Sequence, residues 1–383
     1  MLIIFGFIAE STGNTDLKII MAHIEKTDVE HLLATFIDPN HGVDLVTAKS
    51  VKEITLDGNN VSVKLELGYP AKSIIDALKT DVEQRIKTLA GVGLVTVEVT
   101  VKIISHAVQQ GLKPQPNIKN IIAVASGKGG VGKSTTAVNI ALALSEEGAK
   151  VGIMDADIYG PSIPTMLGLS GRPDSVDNKT LTPKVAFDIQ TMSIGYLVDP
   201  DQAMIWRGPI ATNTLQQLLR DTNWHDIDYL IIDLPPGTGD IQLTLAQQIP
   251  VSGAIIVTTP QDIALLDAQR GLGMFAKVNV PVLGVVENMS LHICSACGHE
   301  EAIFGTGGGV AMADKNKVDF LGSLPLDINI RLNADSGIPT VIADPNGRPA
   351  QLYKDIARKT AAKLALKTKD FSTRFPSIVM QNT

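Results

Sequence analysis

Apolar residues change their spacing several times along this chain, and each change marks an element. Val61, Val63, Leu65 and Leu67 alternate with polar residues after the turn signal Asp57-Gly58-Asn59-Asn60, as a half-buried strand does. Ile74, Ile75, Leu78, Val82, Ile86 and Leu89 fall on one helical face, and Val95, Val97, Val99, Val101 and Ile103 alternate again. Residues 24–106 therefore predict a small α+β unit. From Gln109 to Asn120 the chain is polar, with Pro114 and Pro116 two apart, so residues 107–119 read as an extended linker. Beyond it the pattern becomes apolar runs separated by helical stretches. The runs are Ile121–Ala125, Lys150–Met154, Tyr229–Ile232, Ala254–Thr259 and Val282–Val286; the first helix spans Thr136 to Leu144 and stops near Gly148. This βα alternation predicts a doubly wound, mostly parallel α/β sheet with right-handed crossovers over residues 120–367, followed by a tail at 368–383.

The bulk composition changes this picture little. A length of 383 residues fits two or three domains, and 4% aromatics with an Ala/Val/Ile/Leu-rich interior suits helices stacked on a parallel sheet. A net charge of −7 argues against broad nucleic-acid coating. Two cysteines, Cys294 and Cys297, are too few and too close for a secreted disulfide framework, and no apolar run reaches the length of a membrane span. In the extension at 1–23, Leu2 to Ala9 is short and lacks a basic flank. It makes a poor signal peptide, Met21 offers an alternative start, and a cytoplasmic protein is expected. The N-terminal unit has no dense His/carboxylate cluster, and His31 and His41 read as surface residues.

The candidate chemistry begins at Gly127-Lys128-Gly129-Gly130-Val131-Gly132-Lys133-Ser134-Thr135, which fits the phosphate-binding loop and has the required strand before it and helix after it. Glycines let backbone N–H groups surround phosphate oxygens at a helix N-terminus. Lys133 would reach the outer phosphates and the Ser134 hydroxyl would ligate Mg²⁺. The second lysine, Lys128, is either a solvated loop-tip side chain or a cation aimed at a nucleotide in another subunit. Asp155 and Asp157 end the next strand on the ligand side of such a sheet, where one carboxylate would serve the Mg²⁺ shell and the other the attacking water. Asp233 ends an apolar strand as a Walker B acid would, where it would bind Mg²⁺ directly or through water. Gly237, four residues on, lets a backbone N–H approach the γ-phosphate.

Together, the doubled-lysine loop, Asp155-Ala156-Asp157 and the run Asp233 to Asp240 resemble the deviant-Walker ATPases, the class of MinD, ParA and nitrogenase iron protein. The stretch Asp157 to Pro164, Trp206-Arg207-Gly208-Pro209, Glu287-Asn288-Met289-Ser290 and Cys294 to Cys297 are similar to the bacterial Mrp/ApbC iron–sulfur cluster carriers over about residues 118–365. Residues 24–106 resemble the MIP18-like domain often fused ahead of them, without the cysteine that some such domains carry. The resemblance implies an ATP-hydrolysing homodimer in which Lys128 crosses to the partner's nucleotide and Asp157 orients the water. It also implies that residues 160–162 form switch I, residues 233–240 form switch II and Asn288 recognises adenine. Trp206 to Pro209 carries no role that physical reasoning supplies.

One C-x-x-C offers two thiolates, whereas a cubane cluster usually takes four; a two-fold dimer supplies the count. Zinc held with His292 and His299, or a redox pair, are the rival readings, and Ile293 to Gly309 reads as a loop. The resemblance favours a [4Fe–4S] cluster passed to apo iron–sulfur proteins, with cluster scaffold proteins as further partners, and neither nucleic acid nor stable membrane association. The alternatives are a zinc-binding regulatory ATPase, or a positioning ATPase acting on membrane or DNA. Support for the latter is the stretch Gln351 to Lys369, where Lys354, Arg358, Lys359, Lys363, Lys367 and Lys369 oppose Leu352, Ile356, Leu364 and Leu366. There the expectation is a last helix packed on the sheet with a solvated basic face.

Overall fold

The computed structural model describes residues 24–175, 177, 179–198, 208–294 and 296–368. Leu2 to Ala9, Met21, Trp206, Arg207, Ser295 and Lys369 lie outside the described residues.

The N-terminal unit has helix α1 (Lys26–Leu33), strands β1 (Val51–Asp57) and β2 (Asn60–Leu67), helix α2 (Ile75–Ile86) and strand β3 (Val95–Val101). β1 and β2 pair antiparallel across the Gly58-Asn59 turn, while β2 pairs parallel with β3, a crossover that α2 makes. Val61, Val63, Leu65 and Leu67 all point into the core, against Leu78, Val82 and Ile86 of α2. His41 departs from its expected surface position. It is buried, its ring edge-on to Tyr69 with centroids 4.9 Å apart, and its Nδ1 lies 3.0 Å from Asp38 Oδ2, off the line of a good hydrogen bond. Tyr69 donates its hydroxyl to the same Asp38 oxygen at 2.7 Å, and this shared carboxylate is what draws the imidazole inward.

The second unit is built on β4 (Ile118–Ala125), α3 (Lys133–Glu146), β5 (Val151–Asp155), α4 (Ile163–Met166), β6 (Lys184–Ala186), β7 (Ile189–Ser193) and α5 (Gly208–Asp221). It continues through β8 (Ile227–Asp233), α6 (Asp240–Gln248), β9 (Gly253–Thr258), α7 (Asp262–Lys277), β10 (Val282–Glu287), α8 (Gly308–Asn316), β11 (Phe320–Ser323), α9 (Ile328–Asp335), α10 (Thr340–Ala343) and α11 (Arg348–Ala365). The eight-stranded sheet runs β11-β10-β9-β4-β8-β5-β7-β6, parallel except for the antiparallel edge strand β6. Alternate residues of the central strands feed two cores. Ile122, Val124, Ile153 and Ile231 face α3 and α11, whereas Ile121, Ala123, Leu230 and Ile232 face α5, α6 and α7. Burial on both faces is why these strands read as unbroken apolar runs.

The expected linker is anchored. β4 begins at Ile118, inside the 107–119 stretch, and Gln109 is buried against the second unit. Its Nε2 amide donates to Ala246 O at 2.7 Å and Ile249 O at 3.2 Å, and its Oε1 accepts from Val251 N at 2.9 Å. A polar residue with three such partners holds the segment down despite the flanking prolines.

The basic face of α11 is also not the solvated one expected. Lys354 and Arg358 are buried, and Lys363 pairs with Asp319 at 2.6 Å. Arg358 pairs with Glu147, just past the end of α3, and its Nη1 also donates to Ser73 Oγ of the N-terminal unit at 3.0 Å. Glu147 in turn accepts from the backbone N–H groups of Lys72 and Ser73. The two units therefore meet over a buried ion pair and one continuous apolar core.

Candidate functional site

The site begins where β4 ends. Gly130 and Gly132 have φ of +81° and +80°, the left-handed region that lets the loop turn back on itself before Lys133 opens α3. Gly127 has a different reason to be glycine, because any Cβ there would overlap the backbone of Asp267 in α7. The loop walls a cavity of about 220 Å³ that is also lined by Lys128, Lys133, Ser134, Thr135, Asp157, Ser162, Met166 and Pro236.

Register brings the acids together. Asp233 on β8 is level with Asp155 on β5, its parallel neighbour. Lys133 Nζ lies 2.6 Å from Asp233 Oδ1, 3.1 Å from Ser134 Oγ and 3.8 Å from Asp157 Oδ2. Asp233 Oδ2 is buried without a hydrogen-bond partner. Burial, and then repulsion from Asp233, push Asp155 up to about 7. Burial likewise raises Asp233 and Asp157, with the Lys133 cation opposing it in both.

Three predicted residues hold partners within the protein itself. Asp155 does not line the cavity; its oxygens accept from Asp157 N and Ile163 N, each at 3.1 Å, and from Ser193 Oγ at 3.2 Å. Gly237, with φ of +103°, donates its N–H to Ser126 O at 3.0 Å. Asn288 donates from Nδ2 to Val131 O at 2.9 Å, and that nitrogen occupies the space a side chain at Gly132 would need. The amide thus braces the phosphate loop from below.

The cysteines are carried on a hairpin, not on an open loop. His292–Ile293 pairs antiparallel with Glu300–Glu301, and α8 already begins at Gly308. Cys294 N donates to His299 O at 2.9 Å and Gly298 N to Cys294 O at 2.8 Å, closing the turn around both thiols. Cys294 is half-buried and Cys297 exposed. Backbone N–H groups of Ala296 and Cys297, with the Cys297 thiol, hold the Cys294 thiol below the usual thiol range. His292 turns its Nδ1 to Leu326 O, 3.1 Å away. Among the described residues no group of three or more His, Cys, Asp or Glu assembles as a metal site.

Residues 117–361 match the model of the NUBPL iron-transfer P-loop NTPases, and residues 26–99 match that of the iron–sulfur cluster assembly proteins. The chain belongs to the NUBPL iron-transfer P-loop NTPase family. It is 51% identical over 336 residues to the iron–sulfur cluster carrier protein of Escherichia coli K12, covering 87% of this chain and 90% of that one. It is 48% identical over 254 residues to the iron–sulfur cluster transfer protein NUBPL of Mus musculus, covering 66% and 80%. Among solved structures, a nucleotide-binding protein from Archaeoglobus fulgidus in complex with ADP aligns with a TM-score of 0.52 at 38% identity, over 58% of this chain and 87% of that one.

In this P-loop NTPase the sequence motifs pointed to Lys128, Lys133, Ser134, Thr135 and Asp157, which the fold gathers around one cavity. They did not point to Ser126, whose hydroxyl donates to Lys128 O at 2.9 Å, or to Ser193 beneath Asp155. Nor did they single out the side chain of Glu287, which accepts from Gly309 N at 2.6 Å and so fixes the start of α8. Ser193 lies on a strand with no glycine-rich or acidic signature, and only the sheet order brings it to β5.

Proposed function

We propose that the chain is an ATP-hydrolysing carrier of an iron–sulfur cluster, with residues 120–367 as the ATPase and 24–106 as an accessory unit. The observation that carries this reading is the short path between the two centres. Asn288 is bonded to the phosphate loop, and six residues later the same segment presents Cys294, pinned on the way by Ser290 N to Leu324 O at 3.0 Å. A nucleotide bound at the loop and a cluster bound at the hairpin would thus act on one stretch of backbone.

The loop's N–H groups and Lys133 would hold the phosphates, Lys133 turning its charge from Asp233 toward them. Asn288 would meet the adenine only on leaving or sharing its bond to Val131. The unpartnered Asp233 Oδ2, beside Ser134, fits a hydrated Mg²⁺. When bound, that ion neutralises charge on the β- and γ-phosphates. Asp157, which lines the cavity, would orient the attacking water, and Lys128 would reach a nucleotide in the second protomer.

The cluster is cargo. Two thiolates per chain, both at the outer turn of a hairpin, meet the four-thiolate demand of a [4Fe–4S] cluster when two chains face each other across a two-fold axis. Apo iron–sulfur proteins are the acceptors. The basic helix that would have served a membrane- or DNA-positioning ATPase uses Lys354, Arg358 and Lys363 internally, which removes the main support for that reading. No helix among the described residues is long and apolar enough to cross a membrane.

The test is anaerobic reconstitution of a mixed dimer pairing a wild-type chain with a Cys294→Ala/Cys297→Ala chain. Wild-type homodimers should hold one cluster per dimer, by iron and sulfide analysis, and the mixed dimer none. A full-strength cluster on the lone wild-type subunit would sink the shared site.

A further inference from the structure

Asp155 is buried beneath the loop that carries Asp157, and its carboxylate holds that loop at both ends. Oδ1 accepts from Asp157 N, where the loop leaves β5; Oδ2 accepts from Ile163 N, where the loop enters α4. The same Oδ2 accepts from Ser193 Oγ on β7, and that hydroxyl oxygen accepts from Gly195 N at 2.9 Å. One side chain therefore ties the loop to the neighbouring strand as well as to itself. From outside, Pro161 and Pro164 sit directly over Gly195, where a Cβ would come within 3.2 Å of each. The loop so bracketed places Asp157 3.8 Å from Lys133 and lines the nucleotide cavity with Asp157 and Ser162, while Asp155 itself stays outside that cavity.

From this geometry we infer that Asp155 is a positioning residue, with Ser193 as its support, and not a Mg²⁺ ligand. It fixes the loop so that Asp157 faces the nucleotide, and an ion could reach its carboxylate only by lifting the loop that it holds. The inference rests on the ATPase reading for its kinetic consequence but not for its structural one. An asparagine at 155 can still accept from one backbone N–H through its carbonyl oxygen, but its amide nitrogen cannot accept from Ile163 N or Ser193 Oγ.

The experiment compares full-length wild type, Asp155→Asn and Ser193→Ala. It measures steady-state ATP hydrolysis, Mg²⁺ titration of fluorescent-nucleotide binding, and amide hydrogen exchange at Asp157 and Ile163. Asp155→Asn should lower kcat by about 10- to 100-fold, as a displaced catalytic group does. The Mg²⁺ half-saturation should change by less than about twofold, because no ligand is lost. Exchange at Ile163 should accelerate. Ser193→Ala should move kcat and exchange in the same direction by a smaller factor, and it decides the matter if Asp155→Asn fails to fold. A Mg²⁺ half-saturation raised about tenfold or more, with Ile163 exchange unchanged, would identify a metal ligand and overturn the proposal. Unchanged exchange and unchanged kcat in both variants would overturn it too. A wild type without ATPase activity would refute the ATPase reading alone, since the exchange at Ile163 still reports on the clamp.

Discussion

Replacing Arg358 with methionine keeps much of the aliphatic stem and removes the charge. Its guanidinium is 6% exposed as a residue, so solvent screens the pair with Glu147 little. The substitution leaves the Glu147 carboxylate buried with the Ser73 N–H and the Ser73 hydroxyl, but no cation. Breaking a buried pair from one side costs about 3–5 kcal/mol. The Ser73 donors that remain favour the lower end, about 3 kcal/mol. For a chain of 383 residues, with an unfolding entropy of about 2.1 cal/mol/K per residue, that corresponds to roughly 4 °C in Tm. Because the apolar core runs through both units, calorimetry should show one transition that shifts as a whole. Adding Glu147→Gln should recover much of the loss, since most of it is the penalty of a charge left unpaired. A single variant within about 1 kcal/mol of wild type, or a double variant no better than the single, would refute this reasoning.

Lys133→Ala should abolish productive ATP binding, whereas Lys128→Ala should keep nucleotide affinity and lose hydrolysis; equal loss of affinity in both, by equilibrium titration, would count against a role in trans. Gln109→Ala in the full chain should cost about 2 kcal/mol, the worth of its three hydrogen bonds, and an unchanged urea midpoint would show that Gln109 is no anchor. In the N-terminal unit, burial alone would raise Asp38, but the nearby His41 imidazole and hydrogen bonds from Tyr69 and Asn40 outweigh it and hold the carboxyl below its usual 3.8. The stability this supplies is present above pH 3.8 and is lost as pH falls through the lowered value. Tyr69→Phe removes one donor, so the acid transition of this unit, followed by near-ultraviolet circular dichroism, should move upward.

The architecture was legible because its signals are local. Alternation marked β2, continuous apolar runs marked the strands buried on both faces, and the phosphate loop declared itself by spacing. What escaped depends on partners far away in the chain. His41 looks like a surface residue until Tyr69 and Asp38 close around it. Arg358 looks like part of a solvated basic stripe until Glu147, more than two hundred positions earlier, is folded against it. Asp155 stood out beside Asp157, yet Ser193, which donates to it, has no motif at all. Cys294 and Cys297 stood out at once, but the hairpin that presents them is held by two-residue strands too short to show a period.

The meeting of Lys72 and Ser73 with Glu147 and Arg358 bears on how portable each half of the chain is. A unit joined only through a linker can be exchanged for a homologue's by cutting in that linker. Here a graft would need to carry both sides of a seam that includes the end of the phosphate-loop helix, along with Gln109 and its acceptors on the second unit. A chimera cut at residue 110 and given a foreign N-terminal unit inherits a glutamate and an arginine shaped for a serine it no longer has. Swaps that transplant positions 72, 73, 147 and 358 as a set are the ones this fold can accept.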